Sequence, residues 1–336
     1  MYVPKIDGAR MVSRRVFLRL VFTLGGGLMT GFPEEFDSID AEVVDLLRDR
    51  TQRLRLSATE IVHPLIPSLE SHGELLARVF ATAPAAYRHE VGRMASEVAW
   101  LAANAHSDNG DDRQSLDWGK RAARLARDVR DHDLRAHALT RVSRTFLSLK
   151  EPTRAVITLR KVDAAKLSHY GRARLEVHRA LALARDGGEC DRKHAALALK
   201  SLDVAREALM LGRTTNARPD WVWWQHDEGF VKTWESEVLR SLVMPHLAVP
   251  AFHAAVVTAA HEDVRELPFL RAGLAEVLGQ GGHVDAAADE AVRAVLLVRA
   301  VDAEAALGRI RGLYRLLATR APNNRHVRSL REALRS

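Results

Sequence analysis

Three triplets of small residues constrain this chain more than any other feature. Ala103, Ser115 and Ala122 form the first, Ser143, Ala155 and Val162 the second, and Ala275, Ala287 and Ala294 the third. The steps are twelve and seven residues in all three, and the second triplet follows the first by forty residues. Small residues at a helix crossing let two backbones approach closely. An alanine-rich bundle also carries small residues, but seldom in one fixed register. Gly110 and Gly282 fall where the turns of the first and third units belong.

The rest of the chain agrees. Ala, Leu, Arg and Glu dominate, and these are strong helix formers. Hydrophobic residues make up 47% of the 336, ample for a core. Alternating Val/Ile/Thr runs of the kind that make strands are scarce. Asp37 and Ser38 can cap a helix starting near Ile39, and a second stretch runs over about 59–82, its start broken or kinked by Pro64 and Pro67. From Tyr87, helices pair across short polar turns at 87–107 with 112–130, 133–149 with 151–167, and 170–186 with 193–211. Further helices are predicted at 221–241, 250–265, 267–280, 284–300, 303–319 and 323–334. The expected organisation is an irregular segment 1–37, an N-terminal helical region 38–86 and a repeat array 87–336.

The spacing predicts an all-α, TPR-like α-solenoid of antiparallel helix pairs, with a period nearer 40 residues than the usual 34. No pair in such an array buries its apolar face alone, so neighbours stack into a superhelix with a concave inner wall. The first helix of each pair lines that wall. The register points Glu97, Trp100 and Asn104 inward from the first pair and His137, Thr140 and Arg144 from the second. An asparagine both donates and accepts, which suits a peptide backbone, and an arginine grips a carboxylate bidentately. The expected occupant is a peptide, a small signal or a protein partner, and the reading leaves room for a homodimer.

Several stretches resemble the C-terminal TPR-like region of actinobacterial XRE-type helix-turn-helix transcriptional regulators. They are Ser96 to Ala102, Ala122 to Asp128, Arg218 to Trp224, Leu313 to Leu317 and Val327 to Glu332. The resemblance covers most of the chain. It implies a cytoplasmic sensing or protein-interaction module in transcriptional regulation, non-catalytic and without a cofactor. Arg14-Arg15-Val16-Phe17-Leu18-Arg19 fits the segment that follows the DNA-binding domain in that family. About ten residues precede it here, too few for a helix-turn-helix of roughly 55 to 65 residues. DNA contact is therefore expected to be indirect or weak. The same Arg-Arg-x-Phe-Leu segment is also the shape of a twin-arginine export signal, which gives two alternatives: an exported TPR adaptor, or a truncated DNA-binding regulator.

Other features carry less. The formal charge of +7 permits contact with acidic partners without requiring it. Trp221, Trp223, Trp224 and Trp234 cluster in a chain of six tryptophans, as a core plug or an aromatic ligand wall. His226-Asp227-Glu228 and His261-Glu262-Asp263 lack the i, i+4 histidine pair of a helical zinc site, so no metal is expected. Gly25-Gly26-Gly27 follows no strand and precedes no Lys-Ser/Thr, so it is no phosphate cradle. Arg325, Arg328, Arg331 and Arg335 make a basic helix end that complements the helix dipole. The single cysteine, Cys190, allows no disulfide within the chain. No apolar run is long enough to span a membrane.

Overall fold

A computed structural model describes residues 39–59, 65–187, 191–215, 228–262, 266–301 and 304–335. These residues form fourteen α-helices and one short 3-10 turn, with no strand among them. The helices are α1 (Ala41–Thr59), α2 (Leu65–Thr82), α3 (Ala85–Asp108), α4 (Asp112–Asp128), α5 (His132–Ser148), α6 (Pro152–Arg160) and α7 (His169–Asp186). They continue as α8 (Arg192–Thr215), α9 (Glu228–Ser241), α10 (Pro245–Glu262), α11 (Leu267–Gln280), α12 (Val284–Val301), α13 (Glu304–Arg320) and α14 (Arg325–Arg335). The expected all-α class is observed, and no described helix is long and apolar enough to cross a membrane.

One turn is used five times. Gly110, Arg130, Lys150, Val243 and Gly282 all have φ between 55° and 81°. Each sits just past a helix end, and the bonds around it follow one pattern. Around Gly110, its N–H donates to Ser107 O and the next N–H, of Asp111, donates to His106 O. Arg130 and Asp131 repeat this on Arg127 and Ala126, and Lys150 and Glu151 on Leu147 and Phe146. This is the Schellman closure, which satisfies the last carbonyls of a helix and reverses the chain. Asp111 and Asp131 then cap the next helix, accepting from Gln114 N at 3.0 Å and Leu134 N at 2.9 Å. At each of these five turns a three-residue link joins two helices.

The nine small residues of the triplets are all buried. At the crossings hydroxyls serve the neighbouring helix: Ser96 Oγ donates to Ala122 O at 2.9 Å, and Ser143 Oγ to Ala155 O at 3.4 Å. A Cβ on Gly119 would sit 3.0 Å from the Val142 side chain, so α4 approaches α5 closely only because that position is bare.

Each of α3, α5, α7, α9 and α11 packs on the helix that follows it, and also on the next of these first helices. The last in the series, α13, packs on α11 and touches α3 again. Six first helices thus face a common interior, with α4, α6, α8, α10, α12 and α14 outside them. The N-terminal helices α1 and α2 add to the α3 end, where their apolar side chains join one core with those of α3 and α4.

The structure departs from the expected helix limits at α6. Helix was expected over 151–167, but it stops at Arg160. Arg179 of α7 donates to Leu159 O at 3.4 Å and Val162 O at 3.2 Å, taking carbonyls that the last turn leaves open. Asp163 then accepts from Ala165 N at 3.1 Å and starts the 3-10 turn Ala164–Lys166. The start of α10 also differs: it begins at Pro245, and Pro250 lies inside it.

Two expectations follow. Val243 is β-branched, holds a φ of 55° and is 39% exposed, so its side chain brings strain and limited burial. Val243→Gly should stabilise the protein by about 1 kcal/mol, read as a higher thermal midpoint. His72 on α2 is buried and hydrogen-bonded to Thr51 of α1 at 2.9 Å. Burial, and then the nearby Arg50, push its pKa down to about 3. The unfolded chain takes up a proton near pH 6.5 that the folded chain refuses. Stability is therefore full above that pH and should fall by about 1.4 kcal/mol per unit as pH drops from 6.5 toward 3. Urea unfolding of His72→Gln across this range should show a profile flatter by that slope.

Candidate functional site

The interior faced by the first helices is polar, and it is organised in two layers. Helix α7 reaches both, through Arg174 and Arg185. These lie eleven residues apart, about three turns and about 16 Å along the axis.

The first layer is a group of arginines on aromatic rings. On α3, Trp100 meets His137 of α5, with ring centroids 4.1 Å apart. Asn104 accepts from Arg141 Nη1 at 3.4 Å. Thr140 Oγ1 donates to His137 O at 2.7 Å and accepts from Arg174 Nε at 3.4 Å. The Arg174 guanidinium lies 5.8 Å from the Trp100 ring and 5.3 Å from the Phe230 ring of α9. Arg144 stacks 4.5 Å above Trp234 of α9, which also meets His178 of α7 at 4.4 Å and Phe230 at 6.3 Å. These are cation–π arrangements, which engage a guanidinium through its face and leave its N–H edge for other partners.

Three cations converge here without a carboxylate against them. Arg141 and Arg174 are 4% and 7% exposed. Among the described residues, none of the three guanidinium groups forms an ion pair, and Arg141 Nε has no hydrogen-bond partner. Burial first, then the charge of Arg144, pushes Arg141 down to about 9. Burial, Arg144 and Arg141 do the same to Arg174. Among the described residues, Asp108, Asp112 and Glu266 act on Arg141 from beyond contact distance, and Glu266, at the start of α11, acts on Arg174 as well.

The second layer is built the opposite way. Glu237 of α9 and Glu276 of α11 are clasped by Arg240 of α9 and Arg309 of α13. Arg309 donates to Glu237 at 3.1 Å and to Glu276 at 2.8 Å. Arg240 reaches Glu237 at 2.7 Å and Glu276 at 3.0 Å. Arg185 of α7 stands 3.7 Å from Glu237. Burial alone would raise the Glu237 pKa, but Arg240, Arg309 and Arg185 hold it well below the usual carboxylate range. Four first helices are tied by this one network.

Of the six residues expected on the inner wall, the structure brings Trp100, Asn104, His137, Thr140 and Arg144 into one cluster. Glu97 is engaged elsewhere, in a bidentate pair with Arg55 of α1 at 2.5 and 2.6 Å. Arg141, Arg174 and His178 were missed. A register of thirty-seven residues finds them: Asn104 meets Arg141, Trp100 meets His137, and the same step leads on to Arg174 and His178. The forty-residue step of the small residues had paired Trp100 with Thr140 and Asn104 with Arg144 instead.

Trp221, Trp223, Trp224, His226, Asp227, Asp263 and Cys190 lie outside the described residues, as do the side chains of Glu228, His261 and Glu262 and all of 1–38. Trp234 is buried in the cluster. Among the described residues, no group of three or more His, Cys, Asp or Glu side chains is arranged to hold a metal. On the outer face the short α6 leaves a cavity of about 410 Å³, floored by Val142 and Phe146 and rimmed by Lys120, Arg124, Arg135 and Lys161. No family model matches the chain, and no curated protein matches it.

The two layers predict opposite responses to loss of charge. Glu237→Gln leaves buried arginines short of a counter-charge and should destabilise the fold by about 3–5 kcal/mol, measured by urea unfolding.

Proposed function

We propose that this chain is a non-catalytic, TPR-like sensing or protein-interaction module acting in transcriptional regulation, and that it takes a peptide, a small signal or a protein partner on its inner wall. The observation that carries the reading is the meeting of Trp100, Asn104, His137, Thr140 and Arg144 around Arg141 and Arg174. Helix hairpins with one buried small-residue register support the TPR-like part of it. The resemblance to XRE-type regulators supports the regulatory setting and a cytoplasmic location.

The mechanism is a population shift. A ligand held between α3, α5, α7 and α9 favours one relative arrangement of those helices, and the bias is its difference in affinity between arrangements. The α13–α3 contact is where such a change would be read, because it joins the two ends of the series. A partner seated across that contact would respond to ligand without touching it.

The test is a ligand and peptide screen by thermal shift, repeated on Asn104→Ala/Arg144→Ala. Compounds that stabilise the wild type should lose at least tenfold in affinity in the double variant, about 1.4 kcal/mol or more. Binding that is unchanged in the double variant removes the inner-wall assignment.

A further inference from the structure

We infer that Arg141, Arg144 and Arg174 form the binding site for a small dianionic oxyanion, of the phosphate-monoester or dicarboxylate class. The inference rests on the inner-wall reading and gives its ligand a charge and a size.

Other arginines of the interior and the helix contacts are paired with carboxylates. Arg309 and Arg240 each touch two carboxylates, Arg55 has Glu97, and Arg271 has Glu290 at 2.7 Å. A guanidinium taken out of water is expensive unless its charge is met and its donors are used. Arg141 and Arg174 are more buried than Arg271 or Arg309, yet their side-chain contacts are to neutral oxygens at 3.4 Å, longer than an ordinary N–H···O bond. Arg141 Nε has none. A leucine or methionine would fill either position at less cost. Charges held in this state mark a site waiting for a counter-charge.

The aromatic rings say what the arginines are set up to do. The Arg174 guanidinium lies over the rings of Trp100 and Phe230, and that of Arg144 over Trp234. At Arg144 and Arg174 that contact leaves N–H donors of the guanidinium for other partners, and a planar fork of such donors matches carboxylate and phosphate oxygens. The rings are already used in this way, so the ligand is gripped by its oxygens.

Charge and size narrow the class. Among the described residues none of the three guanidinium groups is ion-paired, and Asp108, Asp112 and Glu266 act on Arg141 only from beyond contact distance, so three sets of N–H donors stand together without a carboxylate in contact. A monocarboxylate has oxygens for one bidentate fork, whereas a phosphate monoester or a dicarboxylate has them for more than one. Arg141 and Arg174 are less than a tenth exposed, so a nucleic-acid duplex or a folded protein does not reach them. Arg144, which is only half-buried, is on the side from which a small anion arrives.

The test uses the full chain in a non-coordinating buffer at constant ionic strength. Inorganic phosphate, succinate, acetate and chloride are titrated by thermal shift and calorimetry. Phosphate or succinate should raise the midpoint saturably by a few degrees, with acetate and chloride at least tenfold weaker. The phosphate and succinate arms separate the two sources of a dianion. Arg141→Met and Arg174→Met should each lose the response by tenfold or more, while their midpoints without anion equal or exceed that of the wild type. That rise is what a purely structural arginine would not give. Arg174→Lys, which keeps the charge and loses the fork, should fall between. Lys120→Glu/Lys161→Glu, on the outer cavity, should leave the response intact.

The inference is overturned if neither dianion binds saturably, or if the response survives in both methionine variants. It is also overturned if those variants are destabilised and the wild type ignores both dianions. Should neutral ligands bind in a way that depends on Asn104 and Arg144 while both dianions fail, the inner-wall reading stands and the charge assignment falls.

Discussion

Close approach of helix backbones at small side chains is the constraint on which the rest of this structure depends. Each helix buries one face against its hairpin partner and another against the next hairpin. Ala103, Ser115, Ala122 and their counterparts make the first contact short enough for the second to form. The five left-handed turns then fix the direction of five of the returns. Without the close crossing, the first helices would not stand near enough for Trp100 to meet His137, or for Arg309 to span two carboxylates on two other helices. The interior is a product of the crossings, although none of its residues takes part in them.

Inside that frame the protein handles buried arginine in two ways. In the layer around Glu237 and Glu276, charge is met in place, and the donors of Arg240 and Arg309 are spent on carboxylate oxygens. Such a network is worth less to stability than its short distances suggest, since desolvation offsets much of the attraction. What it supplies is position: it fits one arrangement of α7, α9, α11 and α13. In the layer around Arg141 and Arg174 charge is left unmet, and stability is lost for a site that can be filled from outside. The contrast matters because both layers belong to the same helices and the same interior, so general dielectric or crowding does not explain the difference.

Much of the fold was legible because it rests on short-range chemistry. Gly110 and Gly282 announced two of the five turns, since glycine tolerates positive φ. Arg130, Lys150 and Val243 hold the same conformation without glycine, and nothing local marks them. The limits of α6 were illegible for a related reason: the group that ends it, Arg179, comes from the next helix. The site was half legible. Sequence placed five of the cluster's residues on one wall but took their register from the small residues, which report contacts within a hairpin. Inner-wall contacts are made between hairpins, and there the neighbouring first helices are offset by about one turn. That offset turns forty into thirty-seven, and it hid Arg141 and Arg174.

The arrangement of the two layers along α7 ties position to occupancy. Arg174 and Arg185 sit on one face of a single helix, one in the unmet cluster and one beside Glu237. α9 does the same, with Phe230 and Trp234 in the first layer and Glu237 and Arg240 in the second. A helix moves largely as a rigid rod, so a counter-charge that draws Arg174 inward must also shift the Arg185 end against Glu237. Arg309 of α13 shares that carboxylate, and α13 is the helix that touches α3. The path from the unmet cations to the contact joining the ends of the series therefore runs through charged side chains on rods. The ion network fits one arrangement closely and others poorly, which is what makes it responsive to a small shift at the other layer.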